Sequence, residues 1–143
     1  MPCLVTMVVR NRSRVFADWD KACACARVLH EFPAVAPIES LAWVIMPDHA
    51  HWLFSLEGLT LGKVMRRFKS YSARKVNAVD GIAGPLWQAG YHDHAVRHEE
   101  DLRTIARYVV GNPVRAGLCE RVEDYPFWDA IWLRGDGATG DEP

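Results

Sequence analysis

Two histidines, His49 and His51, are separated by one residue in the run Trp-Val-Ile-Met-Pro-Asp-His-Ala-His-Trp-Leu-Phe at positions 43–54. The run is typical of a strand, a tight turn at Pro47 and Asp48, and a second strand. Residues i and i+2 of a strand point to the same face about 7 Å apart, so both imidazoles can bind one metal ion. The pair supplies two ligands, and a metal site would need a third protein group.

A tyrosine and an asparagine far along the chain can complete such a site. Residues 101–113 are predicted to form a helix that places Tyr108 and Asn112 at i and i+4 on one face. Tyr108 projects about 110° and Asn112 about 70° from the centre of the apolar stripe, so both border the core. The stripe consists of Leu102, Ile105, Ala106 and Val109. Two imidazoles, a phenol and an amide oxygen together indicate a metal-assisted tyrosine nucleophile.

Simpler interpretations exist for each of these residues. A second pair, His92 and His94, repeats the spacing, so one of the two pairs need not bind metal. The first pair has apolar runs on both sides, which predict buried strands whose polar residues need a partner. Asn112 precedes Pro113, where an asparagine is also suited to ending a helix and capping the next turn. Capping and ligation are compatible.

Five ordered blocks extend this pattern along the chain. They are Met-Pro-Asp-His-Ala-His at 46–51, Phe-Lys-Ser at 68–70, Leu-Trp-Gln at 86–88, Asp-His-Ala-Val-Arg at 93–97, and Tyr108 followed by Asn-Pro-Val-Arg-Ala-Gly-Leu at 112–118. In this order they resemble the REP-associated tyrosine transposases, a branch of the single-tyrosine HUH (His-hydrophobic-His, IS200-like) transposases. The resemblance covers about Val5 to Trp132. It implies that His49 and His51 bind the metal, that Tyr108 is the nucleophile and that Asn112 is the third protein ligand.

The resemblance also implies a reaction and a substrate. A phosphodiester repels nucleophiles, and a free tyrosine hydroxyl with a pKa of about 10 is mostly protonated at neutral pH. A divalent metal can polarise the phosphate, and two imidazoles, an amide oxygen and open positions suit Mg²⁺ or Mn²⁺. The implied substrate is single-stranded DNA with a palindromic hairpin. The implied activity is nicking and strand transfer through a 5′-phosphotyrosine intermediate.

The charge distribution favours a nucleic-acid partner. Although the formal net charge is −1, residues 1–119 carry 15 basic and 11 acidic groups, whereas residues 120–143 carry 2 basic and 7 acidic groups. Within residues 60–76 there are six cations and no acid, opposite an apolar stripe. A solvated helix face is the alternative, but uncompensated cations favour phosphate contact. With two arginines from the resembling blocks, the expected DNA-binding set is Lys63, Arg66, Arg67, Lys69, Arg74, Lys75, Arg97 and Arg115.

The elements that must position these residues follow from hydrophobic periodicity. Strands are predicted at 4–9, 38–46, 49–56 and 91–97, and helices at 19–32, with Asp18 as N-cap, at 60–77 and at 99–111. This βαββαβα order predicts an α+β fold, a ferredoxin-like antiparallel sheet with helices packed on one face. Residues 1–133 are expected to form a single domain. Residues 134–143 are expected to be a disordered acidic tail.

Other classes are disfavoured by composition. No apolar run approaches the roughly 18 residues of a membrane span, and Arg10 and Arg12 follow rather than precede the apolar start, unlike in a signal peptide. Four cysteines without Cys-x-x-Cys spacing indicate reduced thiols and a cytoplasmic protein. Two other functions stay open: a catalytically silent DNA-hairpin binder and a metal-dependent hydrolase that uses water. The sequence leaves monomer and homodimer equally open.

Overall fold

A computed structural model of the chain describes residues 1–133, and the expected acidic tail at 134–143 lies outside the described residues. Five strands and four α-helices make up the fold, joined by short 3₁₀ turns. In chain order they are β1 (Pro2–Val8), α1 (Trp19–Glu31), β2 (Ile38–Met46), β3 (His49–Leu56), α2 (Leu61–Asn77), β4 (His92–Ala95), α3 (Glu99–Val110), α4 (Asn112–Arg115) and β5 (Trp128–Ala130).

The strands form one antiparallel sheet in the order β4-β1-β3-β2-β5. The first four positions confirm the predicted ferredoxin-like α+β arrangement. Only four strands were expected, and β5 adds a fifth at the β2 edge. Because β5 is three residues long, it is too short to produce an alternating pattern in the sequence.

The placement of the helices differs from the expectation that all pack on one face. Helices α1 and α2 cover one face, where Trp52 of β3 packs against Phe54 and against Phe68 of α2 in a large core. Helix α3 covers the opposite face, where its Ala106 and Val109 join Leu53 and Val44 in a second core. The reason lies in the strands: residues 41–46 of β2 and 52–54 of β3 are continuously buried, which requires cover on both faces.

Local signals set most element boundaries close to their predicted positions. Strands β2 and β3 have the predicted bounds, and the side chain of Asp18 accepts a hydrogen bond from the Lys21 amide at 3.1 Å, as expected of an N-cap. Thr60 caps α2 in the same way, through the Lys63 amide at 3.3 Å. Within residues 1–133, no helix has the length and apolar character needed to cross a membrane.

A buried hydroxyl connects α2 to the segment before β4. Ser72 is fully buried; its Oγ donates to the Phe68 carbonyl at 2.7 Å and accepts a hydrogen bond from Nε1 of Trp87 at 2.9 Å. The neighbouring backbone is bound to the end of β1, since the Gln88 amide donates to the Val8 carbonyl at 2.7 Å. This connection fixes the 84–89 segment against the sheet.

We expect Ser72→Ala to lower the free energy of unfolding by about 1–3 kcal/mol, because the indole N–H of Trp87 would stay buried without an acceptor. Urea unfolding followed by tryptophan fluorescence measures the change. Ser70→Ala is a matched control on the same helix, since Ser70 is exposed and binds only the Arg74 guanidinium among the hydrogen bonds described for it. Equal stability of the two variants would show that the buried hydroxyl contributes nothing.

Candidate active site

Strand β3 places His49 and His51 side by side on the face that α3 covers. Between them, Ala50 is fully buried in the opposite core, as strand alternation requires. The two imidazole rings are 4.9 Å apart between centroids and nearly perpendicular, with an angle of 83°. The two rings therefore lie close enough for the Nε2 atoms of both to face one ion.

Each imidazole is oriented by a hydrogen bond at its Nδ1 atom. Nδ1 of His49 lies 2.7 Å from Oδ1 of Asp48, and Nδ1 of His51 lies 2.8 Å from Oγ1 of Thr6. When each Nδ1–H donates to its oxygen, Nε2 carries the lone pair on both rings. Metal-binding histidines are commonly held in this way, because the oxygen that is hydrogen-bonded to Nδ1 fixes both the tautomer and the orientation of the ring.

The electrostatics favour this arrangement. Burial lowers the pKa of His51 to about 4, and the charges of His49 and Arg115 act in the same direction. His51 is therefore neutral at physiological pH, which is the form that binds metal. Burial acts to raise the pKa of Asp48, but the hydrogen bond from His49 and the charges of His49 and Arg12 outweigh it, so that pKa lies below its ordinary value. An ionised Asp48 is a strong acceptor for His49.

Tyr108 lies in the last turn of α3, and Asn112 is the first residue of α4, on the same side of the sheet. The helix predicted through residues 101–113 is therefore interrupted at Gly111. Tyr108 is 56% exposed, whereas its neighbour Val109 is fully buried against the sheet. Nδ2 of Asn112 donates to the carbonyls of Tyr108 at 3.2 Å and Val109 at 3.0 Å. The amide thus ends the helix through its nitrogen and keeps its oxygen for another partner, so capping and ligation remain compatible.

The available donors fit a divalent ion of the magnesium or manganese type. Among residues 1–133, no group of three or more His, Cys, Asp or Glu side chains is placed to hold a metal. The two imidazole nitrogens of the histidine pair could hold an ion, and the amide oxygen of Asn112 is the third protein ligand that the sequence resemblance implies. Open positions of this kind suit an ion that must bind its substrate directly.

The second histidine pair occupies a different setting. His92 and His94 are exposed on the edge strand β4. Thr6 is paired with His92 on one side and with His51 on the other, so these two histidines lie two strands apart, roughly 10 Å. The structure brings His49 and His51 together but leaves His92 and His94 at the edge of the sheet.

The predicted DNA-binding cations are divided between the two faces. On α2, Lys63, Arg66 and Arg67 are exposed, and Arg74 and Lys75 flank the ring of Tyr71 at 5.6 and 5.5 Å. This helix covers the face opposite the histidine pair. Arg97 and Arg115 are exposed near β4 and in α4.

Lys69 differs from the other five cations of α2. Its ammonium donates to the carbonyls of Gln88, at 2.9 Å, and Gly90, and it lies 5.7 Å from the centroid of the Tyr91 ring. Burial lowers the pKa of this lysine. Lys69 therefore binds the loop before β4 and does not face outward as the helical pattern predicted.

Sequence reasoning missed three residues around the site. Asp48 is adjacent to His49 in the sequence and could have been found from that position. Thr6 becomes a partner of His51 only through the pairing of β1 with β3, in which the two are opposite. Gly111 lies where the side chain of Arg115 folds back toward Tyr108, a contact that depends on the turn into α4.

Comparison with known proteins shows the family to which the chain belongs. The family model described as Transposase IS200 like matches residues 3–112. The chain therefore belongs to the IS200-like tyrosine transposase family, and the resemblance found in the sequence is confirmed.

Within that family the chain is similar to the REP-associated tyrosine transposase of Escherichia coli strain K12. The two are 33% identical over 92 residues, which cover 64% of this chain and 53% of that protein. The chain thus spans about half the length of the curated relatives it matches.

A solved structure of a REP-associated tyrosine transposase bound to a REP hairpin has a TM-score of 0.72 and 27% identity, covering 89% of this chain and 74% of that one. A candidate transposase from Deinococcus radiodurans R1, with a TM-score of 0.60 and 21% identity over 76% of this chain and 88% of that one, shares the fold.

We expect His49→Ala and His51→Ala to weaken Mn²⁺ binding sharply, because each removes one of few protein ligands. Thr6→Val should weaken it about 10-fold by releasing the ring of His51. His92→Ala is the matched control, since it removes an exposed imidazole from the edge strand. Calorimetric titration of folded variants measures the affinities, and equal binding by wild type and His51→Ala would contradict the assignment.

Proposed function

We propose that this protein cleaves and rejoins single-stranded DNA next to a palindromic hairpin through a 5′-phosphotyrosine at Tyr108. His49, His51 and Asn112 would hold the Mg²⁺ or Mn²⁺ that the reaction needs. The observation that carries the proposal is the arrangement of the two histidines. Their rings are nearly perpendicular, and each is hydrogen-bonded at Nδ1. They lie on the sheet face covered by α3, the helix whose last turn carries the exposed Tyr108.

The residues of the chain would divide the chemistry between them. When bound, a divalent ion supplies Lewis-acid polarisation of the scissile phosphate. The phenol of Tyr108 loses its proton to solvent, and its oxygen attacks phosphorus in line with the leaving 3′ oxygen. A bond forms from phosphorus to the tyrosine oxygen, the bond to the 3′ oxygen breaks, and that oxygen takes a proton to become a 3′-hydroxyl. Because the phosphotyrosine conserves the ester, a 3′-hydroxyl can reverse the step and rejoin strands.

Two observations support a DNA hairpin as partner. The similar transposase of known structure is bound to a REP hairpin. In this chain, α2 has five cations on its surface and no acidic residue between 60 and 76. Such a surface suits contact with a phosphate backbone of any sequence. We place the reaction in the cytoplasm, where such DNA is accessible, and assign it to a single domain formed by residues 1–133.

Tyr108→Phe tests the nucleophile. It removes one oxygen from an exposed position, so the fold, Mn²⁺ binding and hairpin binding should persist, while covalent adduct formation should fall to background. Wild type with Mg²⁺ or Mn²⁺ should retain the 5′ end of the downstream fragment and release a 3′-hydroxyl, and chelation should abolish both. Denaturing gels with end-labelled DNA, and mapping of the tryptic peptide that begins at Tyr108, measure this.

Tyr91→Phe is the control for Tyr108→Phe and should form adduct at the wild-type rate. Adduct on Tyr91 or Tyr71 would contradict the choice of nucleophile. Cleavage by Tyr108→Phe without an adduct would instead indicate a hydrolase that uses water. Metal-independent hairpin binding by wild type, with no adduct under any condition, would indicate a silent binder.

The basic face of α2 gives a separate expectation. If Arg66 and Arg67 contact phosphates, replacing both by Ala should weaken binding to all single-stranded sequences alike, and each lost contact should reduce the salt slope of binding by about 0.7. Fluorescence anisotropy at several salt concentrations measures the slope. Arg27→Ala, which removes an exposed cation from α1, is the control. An unchanged slope in the double variant would leave this face as a solvated surface.

A further inference from the structure

One guanidinium holds Tyr108 in two ways. The guanidinium carbon of Arg115 lies 3.8 Å from the centroid of the Tyr108 ring, which is a stacking distance. Nη2 of the same arginine donates a hydrogen bond to the Tyr108 carbonyl. The ring and the backbone of the candidate nucleophile are therefore fixed by a single side chain from the following helix.

A glycine makes room for this contact. A Cβ added at Gly111 would lie 2.9 Å from Nη1 of Arg115 and 3.0 Å from the Arg107 carbonyl. The backbone of Gly111, at φ −82° and ψ −6°, is one that any residue can adopt, so glycine is needed here for space and not for conformation. The close passage of Arg115 is thus supported by a second feature of the chain.

Tyr108 needs such support because it has little other packing. The residue is 56% exposed, whereas attack on phosphorus requires the phenol oxygen to be held in one direction. We propose that Arg115 is a positioning residue that holds the ring of Tyr108 for attack, and that Gly111 is the position that admits it. This inference rests on the proposed function, and it differs from the expectation that Arg115 only binds DNA.

The two roles of Arg115 predict different kinetics. A phosphate contact contributes to affinity, so its loss is overcome by saturating DNA. A positioning contact acts on the rate of the bound complex, and a displacement of about 1 Å can slow a reaction about 100-fold. Gly111→Ala separates the roles most cleanly, because it disturbs the stacking without removing a charge.

The experiment combines 19F NMR with single-turnover kinetics. The chain has four tyrosines, so uniform 3-fluorotyrosine labelling gives four resonances, and Tyr108→Phe assigns one of them. We expect Arg115→Ala and Gly111→Ala to shift the Tyr108 resonance without metal or DNA. Both should slow adduct formation about 100-fold at saturating hairpin DNA, and Gly111→Ala should leave DNA affinity unchanged.

Two further variants complete the design. Gly62→Ala is the matched control, since an added Cβ there meets nothing within 4 Å, and it should change neither resonance nor rate. Arg115→Lys keeps the charge but loses the planar group that stacks, so most of the rate loss should remain. This variant also tests the proposal if Gly111→Ala does not fold.

The outcomes separate the alternatives. An unshifted Tyr108 resonance in Arg115→Ala, or a full rate in Arg115→Lys, would overturn the positioning role. A rate loss in Arg115→Ala that saturating DNA restores would assign Arg115 to DNA binding alone and would also overturn it. Because the resonance is measured on the protein by itself, a wild type that forms no adduct would refute the proposed function while the contact between Arg115 and Tyr108 is still tested.

Discussion

The pairing of β3 with β1 is the constraint on which the rest of the site depends. Along β3, Ala50, Trp52 and Phe54 face the core under α1 and α2, and the intervening positions carry the two histidines and Leu53 toward α3. Because side chains alternate along a strand, a shift of one residue in the register of β3 would turn the two imidazoles into the aromatic core. The same shift would turn the indole of Trp52 toward the site. The packing of Trp52 against Phe54 and Phe68, at centroid distances of 4.3 and 4.8 Å, therefore fixes the direction in which His49 and His51 point. A hydrogen bond from Nε1 of Trp52 to Oγ of Ser40, at 3.0 Å, satisfies the one polar group of that buried ring.

The same pairing also sets the chemistry of the histidines. It brings Thr6 opposite His51 at hydrogen-bond distance, and the tight turn before β3 brings Asp48 beside His49. The two hydrogen-bond partners differ: a neutral hydroxyl, that of Thr6, binds His51, and a carboxylate, that of Asp48, binds His49 at the start of the strand. Burial lowers the pKa of His51 to about 4, so this imidazole is neutral at physiological pH, the form that a metal ion would require.

The second core attaches the helix that carries Tyr108, the proposed nucleophile, to the sheet face of the histidine pair. Helix α3 is attached to the sheet by Ala106 and Val109, and the segment after α4 returns to cover the β2 edge. There the Tyr125 hydroxyl donates to the Ile45 carbonyl at 2.6 Å, and the Ile45 amide donates to the Phe127 carbonyl at 2.9 Å. The segment after α4 is thus bound to β2, the strand that precedes the histidines. This attachment holds the histidine pair and the helix that carries Tyr108 to one sheet.

The sequence by itself determined the features that depend on neighbouring residues. The alternation around His49 and His51 and the capping of α1 by Asp18 are local, so the strand, its two faces and the start of the helix followed from neighbouring residues. The ordered blocks added the family, and the βαββαβα order of the elements added the ferredoxin-like sheet.

Only the tertiary structure decided which side chains meet across elements. It placed α3 on the face opposite α1 and α2, added β5, turned Lys69 toward a loop, and brought Thr6 to His51 and Arg115 to Tyr108. The physical reason is that a residue's direction is set by its own element, whereas its partner is set by strand register and by how separate elements pack. Those depend on buried surface summed over the whole chain, which no single spacing in the sequence contains.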